Sequence, residues 1–386
     1  MKVLHVLSNY RWTERAEPAT DLVLAQRAMG IRADLVCGRN RADPSESIAY
    51  RALRRGLEVR SPDPPLDLPK HFDWRSARSD IAGLRRLLRD GGYTVVHAHI
   101  ENGWLLSALA MRGWRQRPLC VASLYDPAGL PWRLRSRFVA SPRRTDGMAV
   151  LCEEAAAAIA RRFGYPADRL SVIEPGVDTE RFGVPQPREA ARRRFGLEKA
   201  FVVGMVTAVG RRRRLDIVLD ALASLAPEMP ALRLLIIGRG KMEPFVEEPA
   251  RARGIRDRIV LGGYCRDERL VEAYAAMDAL AYPMHGTDRS CRTVREAMAA
   301  GVPVIASRVG FLPHLLRDGE TGYLVEPNGA AMAEAVRRLD RLPDRGKAMA
   351  RRAREEARRR FDPRRQAESM QAFYARLSSL SGEDRR

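Results

Sequence analysis

Cysteine is scarce and scattered, with only Cys37, Cys120, Cys152, Cys265 and Cys291 among 386 residues. An odd number, without a C-x-x-C pair or a Cys/His spacing of metal-binding type, excludes a disulfide framework and a zinc module, and predicts reduced, buried thiols. Lysine is nearly missing and stands only at 2, 70, 199, 241 and 347. No Asp-x-Asp triplet occurs, so the common carboxylate cradle for a divalent ion on a diphosphate is lacking and no essential metal is expected. No stretch approaches the roughly 18 to 20 consecutive apolar residues of a membrane helix. The apolar opening Met1 to Leu7 is too short for a secretory h-region. These absences predict a cytoplasmic protein, peripheral at most on the inner face of the cytoplasmic membrane. No internal repeat interrupts the pattern.

What is present is arginine. The net charge is +20, which could serve nucleic acid, an anionic membrane surface or an anionic substrate. The arginines are spread over both halves together with abundant alanine. That distribution reads as a compositional bias before any dedicated face, and no specific nucleic-acid partner is expected. At 45% hydrophobic residues the chain can bury two cores, in domains of roughly 150 to 200 residues.

The hydrophobic periodicity alternates between strand and helix. Apolar, β-branched runs at Lys2–Leu7, Ala33–Cys37, Tyr93–His99, Leu119–Ser123, Gly147–Leu151 and Leu170–Gly176 predict strands. Helical spacing separates them at Ala19–Met29, Ser79–Leu88, Trp104–Met111 and Glu153–Phe163. The Pro-rich stretch Arg41–Asp73 reads as loop with short irregular strands. A second alternating series has strands at Phe201–Val206, Leu232–Ile237, Ile259–Leu261, Ala279–Tyr282 and Val304–Ala306. Strands alternating with helices imply parallel α/β sheets. The expected division is an N-terminal Rossmann-like domain over 1–175, a linker over 176–190 where helix breakers gather, a second Rossmann-like domain over 191–363, and a C-terminal helix over 364–386 packing back on the first.

Several segments carry chemistry. In Asp288-Arg289-Ser290-Cys291-Arg292-Thr293-Val294-Arg295-Glu296, two carboxylates flank the start of a helix opened near Ser290. Glu296 lies one turn inside it, where a carboxylate can accept from vicinal hydroxyls while Ser290, Cys291, Arg292 and Thr293 present the helix N-terminus to an anion. On spacing alone the alternative is a solvated helix face. The run Gly210-Arg211-Arg212-Arg213-Arg214 follows the first strand of the second domain, at the end where α/β sheets bind ligands, and arginine grips phosphate oxygens bidentately. Gly238-Arg239-Gly240 lacks the third glycine of a dinucleotide fingerprint, which excludes a nicotinamide enzyme.

The segment Val172-Ile173-Glu174-Pro175-Gly176-Val177-Asp178-Thr179-Glu180-Arg181-Phe182, with Ile236-Ile237-Gly238-Arg239-Gly240, Glu272 to Asp278, Arg295 to Ala306 and Asp318 to Val325, resembles the GT4-like family (glycosyl transferases group 1) of retaining glycosyltransferases. The resemblance spans the C-terminal half. It reaches the N-terminal half more weakly, through Met1 to Leu7 and Val95 to His99.

It implies a GT-B fold, two Rossmann-like domains with parallel sheets facing across a cleft. It also implies transfer of a sugar from a nucleotide diphosphate sugar, a donor substrate and no cofactor, to a saccharide or glycolipid acceptor in bacterial surface polysaccharide or lipopolysaccharide synthesis. Asp288 takes the family's donor-sugar carboxylate and Glu296 the ribose carboxylate. Arg213 takes a diphosphate-binding lysine position, with Arg211, Arg212 and Gly210 beside it, while Ala208 stands where the family has arginine. Gly262-Gly263-Tyr264 falls where members hold the base, placing Tyr264 at the donor.

On the acceptor side Asp126 and His99 are the candidates, with Tyr125 where a family histidine would be. Retention implies front-face transfer, needing cations on the leaving diphosphate more than a protein base. A glycolipid acceptor implies contact with an anionic membrane, for which Arg133, Arg135, Arg137, Trp132 and Phe138 are the candidates. The competing readings are a nucleotide-sugar epimerase and a catalytically silent GT-B-fold protein holding an anionic partner.

Overall fold

A computed structural model of the chain describes residues 1–383 except 14, 40–43, 127, 129, 132, 285–290 and 345. It divides into two compact units, Met1–Gly176 with Pro363–Arg386, and Val177–Asp362.

The first unit contains strands β1 (Lys2–Leu7), β2 (Arg32–Cys37), β3 (Val95–Ala98), β4 (Leu119–Ser123), β5 (Gly147–Val150) and β6 (Leu170–Val172). Its helices are α1 (Ala16–Ala28), α2 (Ile48–Leu53), α3 (Trp74–Gly91), α4 (Glu101–Ala110), α5 (Leu134–Val139) and α6 (Glu153–Phe163). The sheet is parallel in the order β2-β1-β3-β4-β5-β6. Near-continuous apolar strands such as β4, buried at every position, are what a sheet covered on both faces requires.

The second unit holds β7 (Phe201–Val206), β8 (Leu232–Ile237), β9 (Ile259–Gly263), β10 (Ala279–Tyr282), β11 (Val304–Ser307) and β12 (Gly322–Val325). These form a parallel sheet in the order β12-β11-β10-β7-β8-β9. Around it lie α7 (Thr179–Gly183), α8 (Arg188–Phe195), α9 (Leu215–Leu225), α10 (Glu248–Ala252), α11 (Asp267–Ala276), α12 (Arg292–Ala300), α13 (Leu312–Leu315), α14 (Gly329–Arg341) and α15 (Lys347–Phe361). The last helix, α16 (Pro363–Glu383), belongs to the first unit. Its Ala367, Met370, Phe373, Tyr374 and Leu377 join that unit's core.

Four local expectations change. The stretch 176–190, expected as a linker, carries a docked helix: α7, capped by the Asp178 side chain accepting from the Arg181 amide, packs on α12 and α15, and Phe182 is buried. In the Pro-rich stretch, Ser47 caps the short helix α2 through the Tyr50 amide, and Ile48 and Ala52 fill the core. Helix α3 begins at Trp74 rather than near Ser79, because Asp73 accepts from the Arg75 amide as its N-cap. Strand β12, opened by Gly322 shortly after Gly319, adds a sixth member to the second sheet, and its short Tyr323-Leu324-Val325 core gave little periodicity to read.

Strand order decides where ligands can be met. In open α/β sheets the loops after two adjacent strands diverge where the order reverses, leaving a crevice at their carboxyl ends. In the first sheet that point lies between β1 and β3, and in the second between β7 and β10.

Candidate functional site

The switch point of the second unit brings the two main motifs together. After β7 the chain turns through Gly210 into a tight turn at Arg211–Arg213, where the Arg213 amide donates to the Gly210 carbonyl at 2.9 Å. Arg213 then reaches across to the end of β10, its Nη1 standing 3.2 Å from the Met284 Sδ. Met284 is the last described residue before 285–290, so Asp288 and Ser290 lie outside the described residues. Arg211 and Arg212 are exposed beside Arg213, while Arg214 is tied to Asp216 by its Nε and Nη2 at 3.1 Å.

The two residues that bound this point are both strained. Arg214 has φ of 49° and Cys291 has φ of 48°, left-handed values that non-glycine residues rarely adopt. Each such conformation costs on the order of 1 to 3 kcal/mol and collects at ligand-binding turns. Cys291 is buried and caps α12, so that Arg292 and Thr293 form the first turn of a helix whose N-terminus opens beside the β7–β10 crevice.

Glu296, one turn further on, is only 5% exposed. Its Oε1 accepts from Arg292 Nε at 2.6 Å, and its Oε2 accepts from the Tyr274 hydroxyl at 2.8 Å. The carboxylate is therefore pre-oriented by two donors before any ligand arrives. Burial, and next the Glu296 charge, push the Tyr274 phenol well above its ordinary range, so it stays a donor. Tyr274 was hidden in the sequence: it lies on α11, 22 residues from its partner, and no local spacing links them.

Gly238 and Gly240 follow β8. A Cβ on Gly238 would lie 1.8 Å from the Thr207 carbonyl oxygen, and one on Gly240 would lie 2.1 Å from that of Val209. These glycines let the segment after β8 press against the segment after β7, an architectural use that needs no third glycine. Tyr264, 44% exposed after β9, is flanked by Arg239 at 4.6 Å and Arg266 at 4.9 Å from its ring centroid. That makes a cation-backed aromatic face at the carboxyl edge of the same sheet. Neither arginine was singled out from sequence.

The first unit's switch point carries a buried histidine network. His5 on β1 and His97 on β3 are register partners, and His99 follows. His5 Nε2 lies 2.7 Å from Gln26 Oε1, an acceptor, so it must carry the proton. His5 Nδ1 is then the acceptor for His99 Nε2 at 2.9 Å, and His99 Nδ1 in turn accepts from the Tyr125 hydroxyl at 2.8 Å. His97 bridges Tyr374 of α16 at 2.6 Å and Ser123 at 2.8 Å. Burial lowers all three: His5 to about 4, and His97 and His99 well below 6.5.

Among the described residues these three histidines are the one group close enough to hold a metal. Their six ring nitrogens are all engaged in hydrogen bonds or facing hydroxyls, and the His97 and His99 rings stack at 4.4 Å, which turns in-plane lone pairs away from a common centre. The cluster is a neutral relay that positions Tyr125. His99 itself is 1% exposed and offers no open nitrogen. Asp126, next to Tyr125, is half-buried and closes its own turn by accepting from the Ala128 amide at 3.1 Å.

Residues 187–360 match the family model described as Glycosyl transferases group 1, and residues 19–181 match Glycosyltransferase Family 4. A D-inositol 3-phosphate glycosyltransferase of Streptomyces bingchenggensis is 32% identical over 277 residues, 66% of this chain and 60% of the relative. One of the same name from Rhodococcus opacus is 34% identical over 260 residues, 61% of this chain and 56% of the relative. The chain thus spans about 60% of the length of the curated relatives it matches. Among solved structures, Anabaena HepE in complex with UDP and glucose aligns with a TM-score of 0.79 at 20% identity, covering 97% of this chain and 99% of that one. A glycosyltransferase from Rickettsia africae aligns with a TM-score of 0.78 at 15% identity, covering 97% and 98%. At such identities the likeness is one of fold.

Proposed function

We propose, from the premise that the chain belongs to the glycosyl transferases group 1 family and has its GT-B fold, that it is a retaining glycosyltransferase. In this reading the second unit holds a nucleotide diphosphate sugar. The first presents a saccharide or glycolipid acceptor, in bacterial surface polysaccharide or lipopolysaccharide synthesis. The observation that carries the reading is the meeting, at one switch point, of the Arg211–Arg213 turn with the end of β10 and the N-terminus of α12.

Transfer with retention asks for a bond to form between the acceptor oxygen and the anomeric carbon on the face from which the diphosphate leaves. The acceptor proton passes to a donor phosphate oxygen, so the main demand on the protein is to stabilise negative charge developing on the leaving group. Arg213, with Arg211 and Arg212 beside it, supplies fixed cations, and the first-turn amides of α12 supply donors without reorganisation. Glu296 orients the ribose and Tyr264 faces the base. Asp288 is proposed for the donor sugar on the family pattern alone.

No helix among the described residues is long and apolar enough to cross a membrane. A glycolipid acceptor would therefore be met at a membrane surface.

The test is a screen of UDP-, GDP- and ADP-sugars for nucleoside diphosphate release, run with and without Glu296→Ala. One donor should turn over, and the variant should weaken nucleotide affinity by tenfold or more, about 1.4 kcal/mol. If no donor binds or turns over while DNA or anionic vesicles bind with a steep salt dependence, the transferase reading fails.

A further inference from the structure

The two most exposed large apolar side chains of the described residues lie together on the first unit. Trp74, at the N-terminus of α3, is 82% exposed, and Leu134, which opens α5, is 86% exposed. They are linked through Phe72, whose ring meets Trp74 edge-on at 4.8 Å and carries the Arg135 guanidinium at 5.3 Å. Between α4 and α5 opens a cavity of about 310 Å³, walled by Lys70, His71, Glu101, Asn102, Arg133 and Arg135, with Leu134 on its lining.

Two features of this face bear on its partner. Three of the cavity's side chains are fixed cations, against one carboxylate, Glu101, which takes the Ser136 hydroxyl at 3.4 Å. Arg137 and Arg78 extend the positive charge, the latter one turn along α3 from Trp74, and Asp73 is the exposed acidic neighbour. The wall also holds a buried, unpartnered acceptor. Asn102 is 3% exposed, and its Nδ2 is committed to the Pro69 carbonyl at 2.7 Å, which fixes the amide orientation and leaves Oδ1 without a described partner. A cationic cavity with a buried acceptor suits a phosphate that carries hydroxyls. Exposed tryptophan and leucine beside arginine suit the boundary between lipid headgroups and acyl chains.

We propose that this face docks on an anionic phospholipid bilayer, with Trp74 and Leu134 entering the interface and the cavity taking a phosphate headgroup. The position of the apolar pair differs from the sequence expectation. Phe138 is half-buried beneath Arg144, whose guanidinium sits 3.9 Å from its ring, and Trp132 lies outside the described residues. The proposal gives the acceptor unit of the transferase reading a membrane address, and its test uses no sugar donor, so either can fail alone.

Flotation of the full chain with phosphatidylglycerol vesicles and with phosphatidylcholine vesicles measures partitioning directly. The chain should float with the first and not the second. Replacing Arg133, Arg135 and Arg137 by serine should lower partitioning by about a hundredfold, from roughly tenfold or less per cation near an anionic surface. Trp74→Ser with Leu134→Ser, which leaves the charge unchanged, should lower it by about tenfold or more.

A charge-matched control replaces Arg193, Arg351 and Arg358 of the second unit, all exposed, by serine and should change little. Equal flotation on both lipids overturns the proposal. So does loss in the control as large as in the arginine variant, which would mark the attraction as diffuse charge. If soluble glycerol 3-phosphate binds in a manner sensitive to Arg133 and Arg135 while neither vesicle retains the chain, the cavity takes a free phosphate ester and the membrane docking is refuted.

Discussion

Lowering the pH from 7 to 5 should destabilise the first unit selectively, through the histidine relay. His5 is held neutral, its pKa brought from 6.5 to about 4 by burial. A base with a depressed folded pKa is stabilising above its unfolded value and loses that contribution as the pH falls from about 6.5 towards about 4, because the unfolded chain takes up the proton first. At pH 5 the unfolded state is favoured by RT ln[(1 + 10^1.5)/(1 + 10^−1)], about 2 kcal/mol for His5 alone. His97 and His99 shift in the same direction, so this figure is a lower bound.

Carboxylates held low in the fold, such as Asp34 and Glu356, start from ordinary values of 3.8 and 4.5 and lose their contribution only below them. The interval from 6.5 to 5 therefore belongs to the histidines. All five tryptophans, Trp12, Trp74, Trp104, Trp114 and Trp132, fall within residues 1–176, so intrinsic fluorescence during urea titration reports this unit alone. With a slope of about 2 kcal/mol per molar urea, the midpoint should fall by about 1 M between pH 7 and pH 5. A midpoint constant within a few tenths of a molar would show that the three imidazoles are hydrated or already charged in the fold, and the relay as described would be wrong.

Two further outcomes concern the second unit. Tyr274→Phe removes a buried donor from Glu296 Oε2 and should cost about 1 to 3 kcal/mol, read by circular dichroism during denaturation, together with weaker nucleotide binding in calorimetry; unchanged nucleotide affinity would detach Glu296 from the donor. Gly238→Ala places a Cβ 1.8 Å from a backbone oxygen at φ of 149° and should destabilise this unit by roughly 3 kcal/mol or more while the tryptophan transition of the first unit stays put. A thermally neutral Gly238→Ala would mean that the segment after β7 gives way, and that the packing of the two segments is not required.

The alternation of short apolar strands with helices was enough to read the two sheets, because parallel strands buried on both faces are continuous apolar runs such as Val95-Val96 and Leu234-Leu235-Ile236-Ile237. The strand order, and with it the switch point that joins Arg213 to the root of the 285–290 segment, is a property of pairing between strands some 75 residues apart, β7 and β10. Sequence spacing does not encode it. The Glu296 position was legible because its helix signal and flanking motif are local. Its partner Tyr274 and the relay from Tyr125 to Gln26 were not, since those contacts cross between elements. The docked helix inside the expected linker was out of reach for a related reason. Pro175, Gly176 and Pro187 break helices as read, but Phe182 between them is a core side chain, and one buried aromatic is enough to dock a five-residue helix.

The charge of +20 gains its meaning only when each arginine's neighbours are named. Arg354 donates to the Ala300 carbonyl at 2.7 Å, Arg162 to that of Leu130 at 2.7 Å and Arg376 to that of Leu170 at 2.9 Å, closing a helix end, a loop and a strand start that would otherwise need water. Arg295, 1% exposed, lies over Phe361 at 5.4 Å, and Arg338 over Tyr323 at 4.5 Å. These uses depend on a planar fork that stacks and donates in several directions at once, which an ammonium cannot match. A chain that builds its joints this way accumulates positive charge without any anionic partner, so net charge alone argues for no ligand. The informative cations are those with no such structural task. Arg211 and Arg212 at the second unit's switch point, and Lys70 and Arg133 at the cavity of the first, form no ion pair with a carboxylate among the described residues. Their placement on the two loop systems where open α/β sheets take ligands is what makes a diphosphate at one and a headgroup phosphate at the other the chemistry to test.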